Sequence, residues 1–118
     1  MLHKMKLKPE EFDNIKFNNK IIEVRLNDEK RKQIKNGDEI VFYKLPELKE
    51  EVHVQVKMIH EFLMFKEVYS KFPPSYFGYE NLYIDQMLSK IYSIYSLKQE
   101  EQYGVVAITF EVINARVP

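Results

Sequence analysis

Val52, Val54, Val56 and Met58 alternate with His53, Gln55 and Lys57. In an extended chain successive side chains point to opposite faces, so this spacing predicts a strand with one apolar side and one wet side. Such a strand is not stable alone. It needs neighbours to pair with and a second layer to cover its apolar face. Other segments share the habit. Leu2 to Leu7 alternates apolar and polar residues, and Ile21 to Leu26 is rich in β-formers. Asp38 to Lys44 puts Ile40 and Phe42 on one side, and Val106, Ile108, Phe110 and Val112 alternate near the end.

Helical signals separate these runs. Pro9 followed by Glu10 and Glu11 suits a helix start, with Phe12 and Ile15 three apart on one side. Asn27-Asp28 is placed to cap a short basic helix running through Ile34 and ended by Asn36-Gly37. Phe62 to Phe65 together with Val68 predicts a helix that Pro73-Pro74 must stop. Ile84, Met87, Leu88, Ile91, Tyr92 and Tyr95 recur every three or four residues, which is one apolar helical stripe. Ser96 and Gln99 have capping-box spacing for a further turn ending at Gly104. Asn18-Asn19 and Gly78 mark turns, and Asn114 to Pro118 reads as an unstructured tail. The expected core holds Ile22, Val24, Ile40, Phe42, Val54, Val56, Ile91, Ile108 and Phe110.

Five strands with helices between them fit a small α+β domain around a curved sheet or barrel. A parallel βαβ sheet has the same alternation, but its strands would be apolar on both faces, and these are amphipathic. The length, 118 residues, fits one domain, read as 1–113 with a tail at 114–118. Cysteine is absent, which excludes a disulfide framework, a thiolate zinc site and a cysteine nucleophile. The longest fully apolar run, Val105-Val106-Ala107-Ile108, is far short of the ~20 residues that span a bilayer, and the first residues lack a signal-peptide core. The expectation is a cytoplasmic protein without a membrane partner.

The 18 basic and 18 acidic side chains cancel, which excludes nucleic-acid binding driven by overall charge. Locally they do not cancel. Residues 16–35 carry seven basic side chains against three acidic, and residues 36–70 four against seven. One basic face on a neutral body, or simply a solvated helix and strand edge, fits that split.

Within Ile21 to Leu26, period two puts Ile22, Val24 and Leu26 on one face, with Glu23 and Arg25 on the other beside Ile21. Lys20 stands at the strand entrance. A carboxylate beside guanidinium and ammonium groups stays ionised, and such a cluster can grip phosphate, orient a base or polarise a carbonyl. The plainer alternative is a surface salt bridge.

Asn18 through Arg25 resembles the GxKxxExR signature of the ASCH (activating signal cointegrator homology) family. The basic segment and Gly37-Asp38 turn after it, and the closing Ile91–Ser96 and Tyr103–Ile108 stretches, are similar to the family's order of features. The resemblance implies a PUA-like β-barrel of about five or six strands with peripheral helices, and a ligand cleft beside the signature. It implies RNA, or a modified nucleoside or nucleotide, as partner, with no cofactor. Lys20, Glu23 and Arg25 would contact the ligand, and Arg31 and Lys35 would extend a basic rim. Tyr43, facing away from the core beside Phe42, would line the cleft.

Some relatives resemble acetylcytidine amidohydrolases and others ribonucleases. On that reading Lys20 and Glu23 are catalytic. The amidohydrolase type, however, has Thr at the position of Glu23, and Glu61 would have to supply its acidic partner. Asn18 replaces the signature glycine, at a turn or at a point of close ligand approach. Tyr76, Phe77, Tyr79 and Tyr83 near Pro73-Pro74 either stack on bases or anchor the loop. His3, His53 and His60 have no ligand spacing, so no metal is expected.

Overall fold

The period-two segments become the strands of one sheet. A computed structural model describes residues 1–113; the tail read at 114–118 lies outside the described residues. The order is β1 (Leu2–Leu7), α1 (Pro9–Phe17), β2 (Ile22–Leu26), β3 (Glu39–Lys44), β4 (Glu51–Phe62), α2 (Phe65–Lys71), α3 (Ile84–Tyr92), α4 (Leu97–Tyr103) and β5 (Val105–Val112). Short 3-10 turns occupy Arg31–Gln33 and Pro74–Phe77. The sheet runs β1-β3-β4-β5-β2, with β1 parallel to β3 and the other pairs antiparallel. It curls into an α+β half-barrel of the PUA-like kind. β1 and β2 are its two edges, and they face each other without pairing.

Every residue expected in the core is buried, but in two cores rather than one. Inside the curl, Met5, Leu7, Ile40, Phe42, Val54, Val56, Ile108 and Phe110 pack with Phe12 and Ile15 of α1. Outside it, Ile22, Val24, Leu26, Val105 and Ala107 pack under Phe65, Val68, Met87 and Ile91 of α2 and α3. β5 serves both cores. That is why its apolar run from Val105 to Ile108 is buried on both faces.

The expected elements shift in physically readable ways. β4 runs past the alternating segment to Phe62, and the register breaks between Val56 and Met58. A bulge reverses which side chains face inward, so Met58 is half exposed instead of joining Val56. The helix read from Phe62 starts at Phe65, because Phe62 pairs with Val105 as the end of β4. Glu67 then accepts the Leu63 and Met64 amides at 3.1 and 3.0 Å, satisfying the start of α2. The stripe read through Tyr95 stops as a helix at Tyr92, and Tyr95 follows in a turn that stacks its ring on Phe65. The basic helix shortens to Arg31–Gln33, with the Asp28 carboxylate accepting the Arg31 amide at 3.0 Å. Ser96 caps α4 as read, accepting from the Gln99 amide at 3.1 Å.

Phe42 is fully buried, with its ring centroid 5.6 Å from that of Phe110. Phe42→Ala should cost about 3–5 kcal/mol in urea denaturation. Met58→Ala, on the turned-out side of the bulge, should stay within about 0.5 kcal/mol of the parent. Equal losses for the two would show that the bulge does not set the inner face.

Candidate functional site

The seam between the two unpaired sheet edges opens into a cleft of about 320 Å³. Lys6, Leu7 and Lys8 line it from the β1 side, and Lys20, Ile22, Glu23, Val24 and Arg25 from the β2 side. Glu10 and Glu11 reach in from α1, Tyr69 from α2, and Lys90 and Ile91 from α3, with Phe77, Tyr79 and Tyr95 completing the wall.

Glu23 and Arg25 point to the same side of β2, as their spacing requires. Their environment is not the surface salt bridge of the plainer reading. Lys20 and Glu23 are 4% and 5% exposed. Lys20 Nζ lies 2.6 Å from Glu11 Oε1 and 2.8 Å from Glu23 Oε1. Arg25 Nε donates to Glu23 Oε2 at 2.6 Å, and its Nη2 donates across the seam to the Lys6 carbonyl at 2.9 Å. Tyr79 donates its hydroxyl to Glu11 Oε2 at 2.8 Å. The result is a continuous chain, Tyr79–Glu11–Lys20–Glu23–Arg25–Lys6, in which two cations meet two anions.

Burial opposes the charge on each member, and the neighbours outweigh it. For Lys20, burial pulls the ammonium pKa down, but Glu23 and Glu11 raise it above the ordinary value. For Glu23, burial pushes the carboxyl up, but Lys20 and Arg25 hold it below the ordinary range. Arg25 follows the same pattern, with Glu23 and then Tyr95 overcoming burial. Tyr69 moves upward because of burial and the nearby charges of Glu23 and Glu11, so its phenol stays neutral.

Local backbone geometry delivers Lys20 to this position. α1 ends at Phe17, and Asn19 adopts φ 56°, turning the chain back so that the Lys20 amide donates to the Asn14 carbonyl at 3.0 Å. Asn18, the residue at the signature-glycine position, has φ −120°, so it takes no left-handed strain there. Its side chain bonds Asn14 at 2.8 Å and is not part of the cleft lining, so it does not narrow the site. The close approach falls on Gly78. A Cβ there, at φ 83°, would stand 2.7 Å from the Asn14 Cβ and 3.1 Å from the Lys20 Cβ. The aromatic loop therefore closes down on Lys20 only because residue 78 has no side chain.

The structure brings Lys20, Glu23 and Arg25 together in one cleft. Arg31 lies behind it, paired with Asp28 at 3.3 Å and close enough to influence Tyr95, but it is not on the lining. Lys35 is exposed at the Lys35–Asp38 turn, and Tyr43 is half-buried on β3; neither lines the cleft. Glu61 accepts from Asn27 at 2.9 Å in a different groove beside α4, so the second carboxylate on Lys20 is Glu11 instead. Of the loop aromatics, Phe77 is buried in the outer core, Tyr79 lines the cleft, and Tyr76 and Tyr83 are exposed. Sequence reasoning missed Glu11, Tyr69 and the cleft-facing hydroxyl of Tyr95. Glu11 reads as a helix-dipole acid, Tyr95 reads as part of the apolar helical stripe, and Tyr69 carries no signal of its own. Among the described residues no group of three or more His, Asp or Glu is placed to hold a metal ion.

The family model for the ASCH domain matches residues 5–114. The chain belongs to the ASCH family. Two solved structures resemble this ASCH domain over nearly its whole length. Hypothetical protein PH0355 shares 37% identity with a TM-score of 0.82, covering 96% of this chain and 100% of that one. Protein PF0455 from Pyrococcus furiosus shares 34% with a TM-score of 0.72, covering 97% and 99%. ASCH from Zymomonas mobilis has the same fold at 15% identity and a TM-score of 0.51, covering 95% of this chain and 72% of its own. No curated protein matches this ASCH domain.

Removing one partner of a buried ion pair leaves the other charged and desolvated. Lys20→Met should therefore lower unfolding free energy by about 3–5 kcal/mol in urea titration. A loss below about 1 kcal/mol would place the cluster among surface pairs. The pH dependence follows from the signs. Glu23 is depressed, so its contribution is complete above its ordinary value of 4.5 and is lost as pH falls through its lower folded value. Lys20 is raised, so its contribution is complete below 10.5 and is lost only as pH rises through its higher folded value. Denaturation midpoints should be level between those limits as far as this pair is concerned, and Glu23→Gln should remove its share of the acid-side fall.

Proposed function

We propose that this ASCH domain binds RNA, or a modified nucleoside or nucleotide, in the cleft between β1 and β2. The observation that carries the reading is the buried chain of ion pairs along a cleft walled by aromatic rings. At about 320 Å³ the cleft falls at the small end of the range for ligand sites, a size suited to one nucleotide unit. Tyr69, Tyr79 and Tyr95 offer ring surface and hydroxyls together. Lys6 and Lys8 stand exposed at the rim and have no ion-pair partner among the described residues, so they are available to phosphate. Family membership supports an RNA-binding or hydrolase-like role in general terms.

Binding is favoured over acid–base catalysis by the charge states. A general acid or base works best with a pKa near the working pH. Lys20 is driven up and Glu23 down, both away from neutrality. Both Glu23 oxygens also accept from cations already. A hydrolase of acylated nucleosides or a ribonuclease would have to break those pairs first. The binding reading places the protein in the cytoplasm, where RNA is within reach. No helix among the described residues is long and apolar enough to cross a membrane.

The test is a titration with short labelled single-stranded RNA at low and physiological salt. Binding should weaken with salt, with a slope of about 0.7 per phosphate held. Lys6→Ala combined with Lys8→Ala should flatten that slope and leave thermal stability unchanged. Absence of binding to RNA and to nucleosides at low salt would sink the reading, and turnover of acetylcytidine lost in Glu23→Gln would replace it with the hydrolase.

A further inference from the structure

β2 is an edge strand, and its register fixes which backbone groups face the cleft. The Phe110 amide donates to the Ile21 carbonyl at 2.9 Å, and the Asn27 amide to the Gly104 carbonyl at 3.0 Å. With Glu23 opposite Ile108, the residues at 23, 25 and 27, and the carbonyl of Ile21, turn their backbone groups toward β5. Ile22 and Val24 turn theirs the other way, into the seam. Both border the cleft, but Ile22 has no open surface, whereas Val24 keeps 7% of its surface open. Among the described residues nothing bonds the Val24 N–H or C=O. Across the seam β1 presents Lys6 in the same manner, but its carbonyl is taken by Arg25. An unpaired peptide on an edge strand that opens into a cleft is a ready template for an outside donor and acceptor.

A second unpartnered group adjoins it. Tyr69 is 6% exposed, lines the cleft, and its hydroxyl makes no hydrogen bond among the described residues. Tyr79 is committed to Glu11, and Tyr95 turns toward Arg25. The inner cleft therefore offers a neutral donor–acceptor edge and one neutral phenol. Its two cations are already matched by Glu11 and Glu23, so a phosphate placed there would have to displace a carboxylate. The free cations, Lys6 and Lys8, are exposed at the rim of the cleft.

We infer that the ligand enters base first: the Val24 main chain reads the hydrogen-bonding edge of an uncharged nucleobase, the Tyr69 hydroxyl adds a further bond, and phosphate stays at the Lys6–Lys8 rim. This rests on the nucleotide-binding reading and assigns its specificity to Val24 and Tyr69, not to the signature charges. An adjacent donor and acceptor on one residue match the paired donor and acceptor that bases carry side by side. Lys20, Glu23 and Arg25 then act as a frame that holds the Val24 edge open.

The experiment follows the Val24 amide of isotope-labelled protein by NMR, with the four ribonucleosides and ribose phosphate as probes. At least one nucleoside should bind and shift that amide. The same nucleoside methylated on the ring nitrogen of its hydrogen-bonding edge should not, and neither should ribose phosphate. Tyr69→Phe should weaken the nucleoside about tenfold with the melting temperature and the RNA salt slope unchanged. Ribose phosphate binding as tightly as the corresponding nucleotide would overturn the inference. So would a bound nucleoside that leaves the Val24 amide unmoved, or RNA binding with no nucleoside binding; in each case the RNA reading survives. No binding of RNA or of any nucleoside overturns both.

Discussion

Two sheet edges that never pair are held at a fixed distance by charge. β1 and β2 face each other across the seam, and the link between them is Arg25, which spans from Glu23 to the Lys6 carbonyl. Lys20 ties the same carboxylate to Glu11 on the helix that follows β1. A hydrogen-bonded ladder would have closed the barrel and filled the seam. Side-chain ion pairs hold the edges apart by their own length and leave space between them. Desolvating four charges is costly, and only their mutual pairing and hydrogen bonds make it tolerable. The cluster is therefore better understood as a device for keeping a cavity than as a source of stability.

The two apolar cores give that device something rigid to stand on. β5 is buried on both faces, shared between the interior of the curl and the layer of α2 and α3. β2 is its neighbour, so Glu23 and Arg25 project from a strand whose other face is packed under Phe65, Met87 and Ile91. The loop from Pro73 to Gly78 completes the wall. It can settle against Asn14 and Lys20 because Gly78 brings no Cβ into a gap of 2.7 Å. Tyr76 then accepts the Ile21 amide at 2.8 Å, pinning the entrance of β2.

Electrostatic neutrality inside the cleft separates two jobs that the sequence had joined. The residues of the GxKxxExR-like segment are basic and acidic in turn, and they invite a role in gripping phosphate. Once folded they satisfy each other, and the polar groups left over are a strand-edge peptide and a phenol. On the nucleotide-binding reading proposed above, affinity for a charged ligand then falls to lysines at the rim, and recognition falls to neutral donors and acceptors within. That division also suits a protein with no net charge, which has no long-range field to draw in a polyanion.

The strand and helix order, the buried identity of Ile22, Ile40, Phe42, Val54 and Phe110, and the meeting of Lys20 with Glu23 and Arg25 were legible in the sequence. Each depends on local spacing, period two or period 3.6, or on a motif within eight residues of chain. Met58 turning outward, Phe62 ending a strand, and the split of one apolar set into two cores were not legible. They depend on a bulge and on which strands become neighbours. The sequence also determined that Lys20 would stand beside acids, but not that Glu11 would be one of them. Glu11 and Glu61 are equally plain carboxylates in the chain, and only the docking of α1 and the course of β4 decide which one reaches the lysine. The depth of the charges was likewise a tertiary outcome. The same residue triad on a solvated sheet would be a surface salt bridge; burial beneath the loop and α2 makes it the frame of a cleft.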